Sequence, residues 1–148
     1  MIVMPEELRP MVRRVYDEAY NKGNLEVLDE LIAPKYLRHQ PPMKDVKGLE
    51  AYKVFVSKVL AAYSNFNIKV EEVLSDGNKT VVRTVLSGRH TGKVPTLMAP
   101  PTGKEIAMKG CTISTWEDGK IVEEWVYNDY IGLTFQFGVM PLAAGGFE

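Results

Sequence analysis

The chain has 148 residues, with 18 Lys plus Arg against 19 Asp plus Glu, a formal net charge of −1, two histidines and one cysteine. A lone Cys111 excludes an internal disulfide framework, and two His with one Cys fall short of a structural zinc ligand set. The near-neutral balance gives no polybasic footprint for nucleic acid or an anionic membrane surface.

The apolar fraction is 45% and the charged fraction 25%, an ordinary globular composition. One domain spanning residues 1–148 is the expectation. No apolar run is long enough to span a bilayer, and Met1 to Glu7 lacks the positive start of a signal peptide. A cytoplasmic location is therefore expected, and a single Cys111 fits a reducing compartment.

From Pro5 to Asn21 the apolar residues Leu8, Met11, Val12, Val15, Tyr16, Ala19 and Tyr20 recur at helical spacing. Gly23 suits the stop, and Asn24 can cap a short second helix carrying Val27, Leu28, Leu31 and Ile32, ended by Pro34. Tyr36 to Lys47, with Pro41-Pro42, reads as a loop or irregular strand. A third helix is expected from about Gly48 to Tyr63. The second half alternates with period two. Phe66–Val70, Thr80–His90, Glu105–Trp116 and Ile121–Asp129 read as strands, with turns at Asp76-Gly77 and Asp118-Gly119. Thr91 to Gly103 reads as a loop in which Leu97 and Met98 form a lid or lie under a partner subunit. Ile131 to Phe137 reads as a short closing helix, followed by a small-residue tail.

Helices followed by hairpin-linked strands predict an α+β fold. The expected architecture is a cone-shaped curved antiparallel sheet packed with three N-terminal helices. Such a cone encloses a pocket suited to an apolar small molecule.

Several segments resemble the SnoaL-like polyketide cyclases, a family of the nuclear transport factor 2-like cone fold. They are Asn21 to Leu31, Tyr36-Leu37-Arg38-His39-Gln40-Pro41-Pro42, Ser87 to Gly92, Pro101-Thr102-Gly103-Lys104, and Lys120 to Trp125 followed by Asp129 and Gly132-Leu133. The resemblance covers nearly the whole chain. It implies ring closure by intramolecular aldol condensation, with no metal and no organic cofactor. It also implies a homodimer formed through the sheet.

Aldol closure needs a proton removed beside a carbonyl and one delivered to oxygen. Asp129 lies at the end of the last strand among Trp125, Tyr127, Tyr130 and Leu133, and matches the family's acid/base aspartate. Its other reading is a cap on the helix that follows. His90 ends a strand, where it either meets a substrate carbonyl, orients Asp129, or is satisfied by a backbone carbonyl. The resemblance puts His39 at the pocket mouth; otherwise it is a solvated loop histidine or stacks on Pro41. Metal ligation by both histidines and Asp129 is disfavoured, since simple acid/base work uses the same residues. Alternation groups Glu123, Trp125, Tyr127 and Asp129 on one face, and Glu124, Val126 and Asn128 on the other. If Asp129 looks into the cone, Trp125 and Tyr127 line it. Tyr16 and Tyr20, one turn apart on the apolar stripe of the first helix, either project to the pocket as ligand donors or reach solvent at the rim. Arg83 is expected to pair with Glu123 or Glu124, or to hold a substrate oxyanion, on the face opposite His90. Cys111 reads as a small buried hydrophobe.

Two functions follow. One is a cofactor-independent enzyme using acid/base chemistry on an apolar carbonyl compound, by cyclisation, isomerisation or dehydration, of lyase or isomerase class. A water-activating hydrolase is its variant and needs Glu123 as a second carboxylate. The other is a small-ligand-binding or dimeric interaction module without turnover.

Overall fold

The structure is a computed structural model that describes residues 5–94 and 100–138. The proposed lid residues Leu97 and Met98 and the small-residue tail lie outside the described residues. Helix α1, Pro5–Arg14, buries Leu8 and Val12 and runs into a π-helical turn, Val15–Tyr20. The wider turn is closed by the Asn21 N–H donating to the Tyr16 carbonyl at 2.9 Å. It puts Val15, Tyr16, Ala19 and Tyr20 all on the buried side. π turns of this kind often mark functional positions. The Asn21 side chain then bonds the backbone of Ile68 in both directions, at 2.9 and 2.7 Å, and so pins the helix to a strand.

Helix α2 is Val27–Leu31, strand β1 Ile32–His39, β2 Val46–Lys47 and helix α3 Leu49–Ala62. Strands β3 Tyr63–Asp76, β4 Lys79–His90, β5 Glu105–Glu117 and β6 Lys120–Asn128 follow, and α4 spans Tyr130–Gln136. The sheet order is β2-β1-β6-β5-β4-β3. The sheet is mixed, which corrects the expectation of an all-antiparallel one: β1 pairs with β6 in parallel. Residues 36–47, expected as a loop or irregular strand, hold the second half of β1 and all of β2. Pro34 lies inside β1 instead of ending a helix. It falls between Ile32 and Leu37, where the β1–β6 register shifts and a missing N–H costs no ladder bond.

The sheet is open and curved. Bulges in β3, between Ser64 and Asn67 and between Val70 and Glu72, bend and twist it. Asn65 sits at φ 52° in the first of them. Where β4 crosses the start of β3, a Cβ on Gly88 would lie 2.9 Å from Tyr63 Cβ, so the bend requires glycine there. In β4 the even residues from Thr80 to Leu86 point inward and are buried, while Arg83 points outward. The core fills the space between this concave face and the helices. Its largest fully buried side chains include Tyr36, Tyr52, Leu8 and Leu28.

Strand β6 decides the site. Its register against β5 slips between Thr115 and Trp116, so Ile121 and Glu124, three apart, both face inward. Glu124 and Val126 are buried and Asn128 lines the interior, whereas Trp125 and Tyr127 are 40% and 52% exposed on the convex face. The grouping by alternation holds, but the face expected to line the cone is the outer one.

Candidate functional site

The concave face and the helices enclose a cavity that is partly open to solvent. Its apolar wall is built by Phe55 and Val59 of α3, Ile68 of β3, Leu86 of β4, Met108 of β5, Val126 of β6, Leu133 of α4, and Val94. Tyr16 and Tyr20 also line it, projected by the π turn with their ring centroids 5.9 Å apart.

One corner is polar. Arg38 and Gln40 reach it from β1 and its end, Asn128 from β6, and Tyr130 from α4. Arg38 Nε donates to Gln40 Oε1 at 2.9 Å, and Gln40 Nε2 donates to the Tyr130 hydroxyl oxygen at 2.8 Å. Asn128 Nδ2 donates to the same oxygen at 3.1 Å. Asn128 fits because its β5 partner is Gly110; a Cβ there would lie 2.0 Å from Asn128 Oδ1. The absent side chain makes room for the amide, which lies across the glycine.

Behind this corner sits a buried ion pair. Arg38 and Glu124 are 7% and 2% exposed, and Arg38 Nη1 lies 3.2 Å from Glu124 Oε1. A buried pair survives only when its remaining lone pairs and protons are satisfied. Here the Tyr36 hydroxyl donates to Glu124 Oε1, and the Ser114 hydroxyl to Oε2, each at 2.5 Å. The guanidinium carbon lies 5.2 Å from both the Tyr52 and Phe55 ring centroids, within cation–π range of each. Burial alone would lower the Arg38 pKa, but Tyr36, Tyr52, Tyr20 and Glu124 around it carry it well above its ordinary value. Arg38 is therefore a permanent cation.

The cavity tyrosines are neutral donors. Burial pushes the hydroxyls of Tyr16 and Tyr20 upward, with Glu124 adding to the shift at Tyr16 and Arg38 opposing it at Tyr20. Tyr63 is pushed up to about 12 by burial. Tyr20 also shares a 3.0 Å hydrogen bond with Tyr52.

The structure does not bring the other sequence candidates to the cavity. Asp129 is exposed and caps α4, accepting the Gly132 N–H at 2.8 Å. His90 is fully buried beside the 91–104 loop. Its Nδ1 accepts the Thr102 N–H at 3.2 Å and lies 3.0 Å from Thr102 Oγ1, and its ring stacks on Phe137 at 4.3 Å. Burial lowers its pKa, opposed by the Gly92 backbone, so it is held neutral. It orients a loop, not Asp129. His39 lies on the convex face, stacked on Trp125 at 3.9 Å. It is held by Glu123 at 2.9 Å and Asp45 at 3.2 Å. Those two carboxylates, Glu123 more than Asp45, raise its pKa. Arg83 is exposed beside Glu71 and Glu72, not Glu123 or Glu124. Cys111 is half-buried on the convex side.

Sequence reasoning missed Arg38, Gln40, Glu124 and Asn128 as site residues. One signal pointed to them: Tyr36, Arg38 and Gln40 alternate, so in a strand they share a face. A polar row on a strand that must bury one face needs a buried counter-charge, and Glu124 is the nearest inward carboxylate on the neighbouring strand. Among the described residues no group of three His, Cys, Asp or Glu is placed to hold a metal. No helix among them is long and apolar enough to cross a membrane.

A family model for SnoaL-like polyketide cyclase matches residues 10–137. The chain belongs to the SnoaL-like polyketide cyclase family. No curated protein sequence matches it. Among solved structures it is similar to a protein from Jannaschia sp. CCS1 assigned as a SnoaL-like polyketide cyclase. The two are 23% identical, with 95% of this chain and 99% of that one covered at a TM-score of 0.82. It is also similar to TsrD from Streptomyces laurentii, at 22% identity, 94% and 100% coverage, and a TM-score of 0.82. These two likenesses speak to fold. IdmH from Streptomyces antibioticus, assigned as a polyketide cyclase, is 28% identical over 88% of this chain and 98% of its own, with a TM-score of 0.74.

Proposed function

We propose that this protein is a cofactor-independent cyclase-type enzyme acting in the cytoplasm on an apolar carbonyl compound. The observation that carries this reading is the composition of the cavity: an apolar chamber with one hydrogen-bonded polar corner built on Arg38, Gln40, Asn128 and Tyr130. Family membership supports the same class. A carbonyl oxygen placed at that corner meets fixed donors in a medium of low dielectric, which polarises the carbonyl and favours negative charge developing on its oxygen. A fixed corner needs little reorganisation as charge develops. Glu124 is the carboxylate closest behind the corner, held there by Arg38, Tyr36 and Ser114.

A second reading is a ligand-binding module without turnover. It is favoured by one observation: none of the described lining residues is a carboxylate or a histidine. Both readings place the ligand in the cavity. The experiment uses a panel of aromatic diketones, measuring binding and product formation with the full chain and with Leu86→Trp, which fills the chamber. Wild-type turnover that Leu86→Trp abolishes supports the enzyme. Tight binding without product, lost in the same variant, supports the module. Binding or turnover unchanged in Leu86→Trp contradicts both.

We also propose a homodimer through the convex face. Trp125 and Tyr127 are exposed there beside half-buried Cys111 and Ile113, their partners on β5. Exposed stacked aromatics on a sheet face are costly in water and favourable in an interface.

A further inference from the structure

Cross-strand register lays out the concave face as rows. Thr80, Ser114 and Glu124 lie side by side, then Val82, Thr112 and Val126, then Thr84, Gly110 and Asn128, then Leu86 and Met108. Four hydroxyls of β4 and β5 point inward from buried residues: Thr80, Thr84, Thr112 and Ser114. Three have partners. Thr80 Oγ1 accepts the Trp116 indole N–H at 3.0 Å, the Ser114 hydroxyl donates to Glu124, and the Thr112 hydroxyl bonds that of Tyr16. The Thr84 hydroxyl makes no hydrogen bond among the described residues, although Thr84 is only 7% exposed and lines the cavity. An unmatched buried hydroxyl is costly, and valine would fill the same space without it.

Asn128 completes the row. Its Nδ2 is committed to the Tyr130 hydroxyl oxygen, and its Oδ1 makes no hydrogen bond among the described residues. Oδ1 and Thr84 Oγ1 lie 2.0 and 3.5 Å from one point, the place where a Cβ of Gly110 would stand. The two oxygens are therefore close enough for one ligand oxygen to reach both at a hydrogen-bond length of about 2.8 Å. The bare glycine between them leaves the space. The chemistry is selective. An amide oxygen only accepts, whereas a hydroxyl both donates and accepts. A ligand hydroxyl can donate to Asn128 and accept from Thr84. A ketone or ether oxygen takes only the Thr84 proton and meets Oδ1 lone pair against lone pair.

Resting on the cavity reading above, we propose that Thr84 and Asn128 Oδ1 form a hydroxyl-binding notch over Gly110, distinct from the corner that receives the carbonyl, so that the preferred ligand is a hydroxylated carbonyl compound. The corner offers hydrogen-bond donors, and the notch offers an acceptor. Asn128 joins the two, with one end of its amide in each. Thr84 is the specificity-determining residue, because it takes no part in the corner.

The test measures binding of 1-tetralone, its positional hydroxy isomers and their methyl ethers to the full chain by calorimetry, at a pH where the phenols are neutral. The expected result is at least one hydroxy isomer bound at least about tenfold tighter than both 1-tetralone and its own methyl ether, since a site that pairs a ligand hydroxyl rejects the analogue lacking it. The quantity compared between variants is that ratio. Thr84→Val keeps the shape and removes the hydroxyl, and should bring the ratio close to one. Thr84→Ser restores the hydroxyl and should recover it. Thr84→Ala serves where Thr84→Val does not fold. No gain in any wild-type isomer, or a gain that survives Thr84→Val, overturns the inference while 1-tetralone binding leaves the cavity reading standing. A gain lost in Thr84→Val and not recovered in Thr84→Ser is a packing effect and overturns it as well. No binding of any tetralone overturns both.

Discussion

Asp129 accepts the Gly132 N–H because it stands just ahead of α4, where the first N–H groups of a helix lack partners. Gly132 is required by the same contact, since a Cβ there would lie 2.2 Å from Asp129 Oδ2. Asp129→Ala should therefore cost about 1 kcal/mol in denaturant unfolding. It should weaken ligand binding only as far as α4, which carries Tyr130 and Leu133, loosens. A variant of unchanged stability that loses all turnover would contradict the capping role. The two histidines should respond to pH with opposite signs. His39, raised above 6.5 by Glu123 and Asp45, contributes stability that is full below 6.5 and lost as pH rises through its raised pKa. Partial exposure of the pair limits this to about 0.5–1 kcal/mol. His90, lowered below 6.5 by burial, imposes a penalty that opens as pH falls under 6.5 and grows until its lowered pKa is reached. Stability curves of His39→Gln and His90→Gln against pH should lose these two dependences separately.

Strand β6 and its neighbour β5 show how one element fixes the site. Gly110→Ala puts a methyl group where Asn128 Oδ1 lies, so Asn128 must swing off the polar corner. The expected outcome is a folded protein with ligand affinity reduced roughly tenfold, about 1.4 kcal/mol, measured by calorimetry. Wild-type affinity in Gly110→Ala would mean that Asn128 is not part of the site. The same strand explains what the sequence could and could not reveal. Periodicity located α1, α3, β4, β5 and β6 because each carries a long run of regular spacing. β1 was legible only as a loop or irregular strand from Tyr36, because Pro34 interrupts it and its parallel partner β6 lies far along the chain. Alternation separated the two faces of β6 correctly, but it carries no label for inside and outside. The expectation that Asp129 looks into the cone carried Trp125 and Tyr127 with it, and the inner face instead carries Glu124 and Asn128. Their burial depends on Arg38, Tyr36 and Gly110, none of them near in sequence. Tyr16 and Tyr20 were legible as candidates because their spacing is local.

At the scale of the molecule, the sheet separates two surfaces of different character. The concave side holds the cavity. The convex side carries the His39–Trp125–Tyr127 stack and its flanking carboxylates Asp45 and Glu123. Trp125→Glu with Tyr127→Lys should give a folded monomer by sedimentation where the proposed interface predicts a wild-type dimer, because both side chains are exposed in the isolated chain. A wild-type monomer at the same concentration would contradict the interface. The account as a whole depends on which side takes the ligand. A crystal structure with a bound aromatic ketone tests this most directly. The expected result is the ring against Phe55, Leu86 and Met108, with the carbonyl oxygen about 3 Å from the Arg38 guanidinium. A ketone seated on the convex face beside Trp125, Tyr127 and Asp129, with the cavity empty, would contradict it.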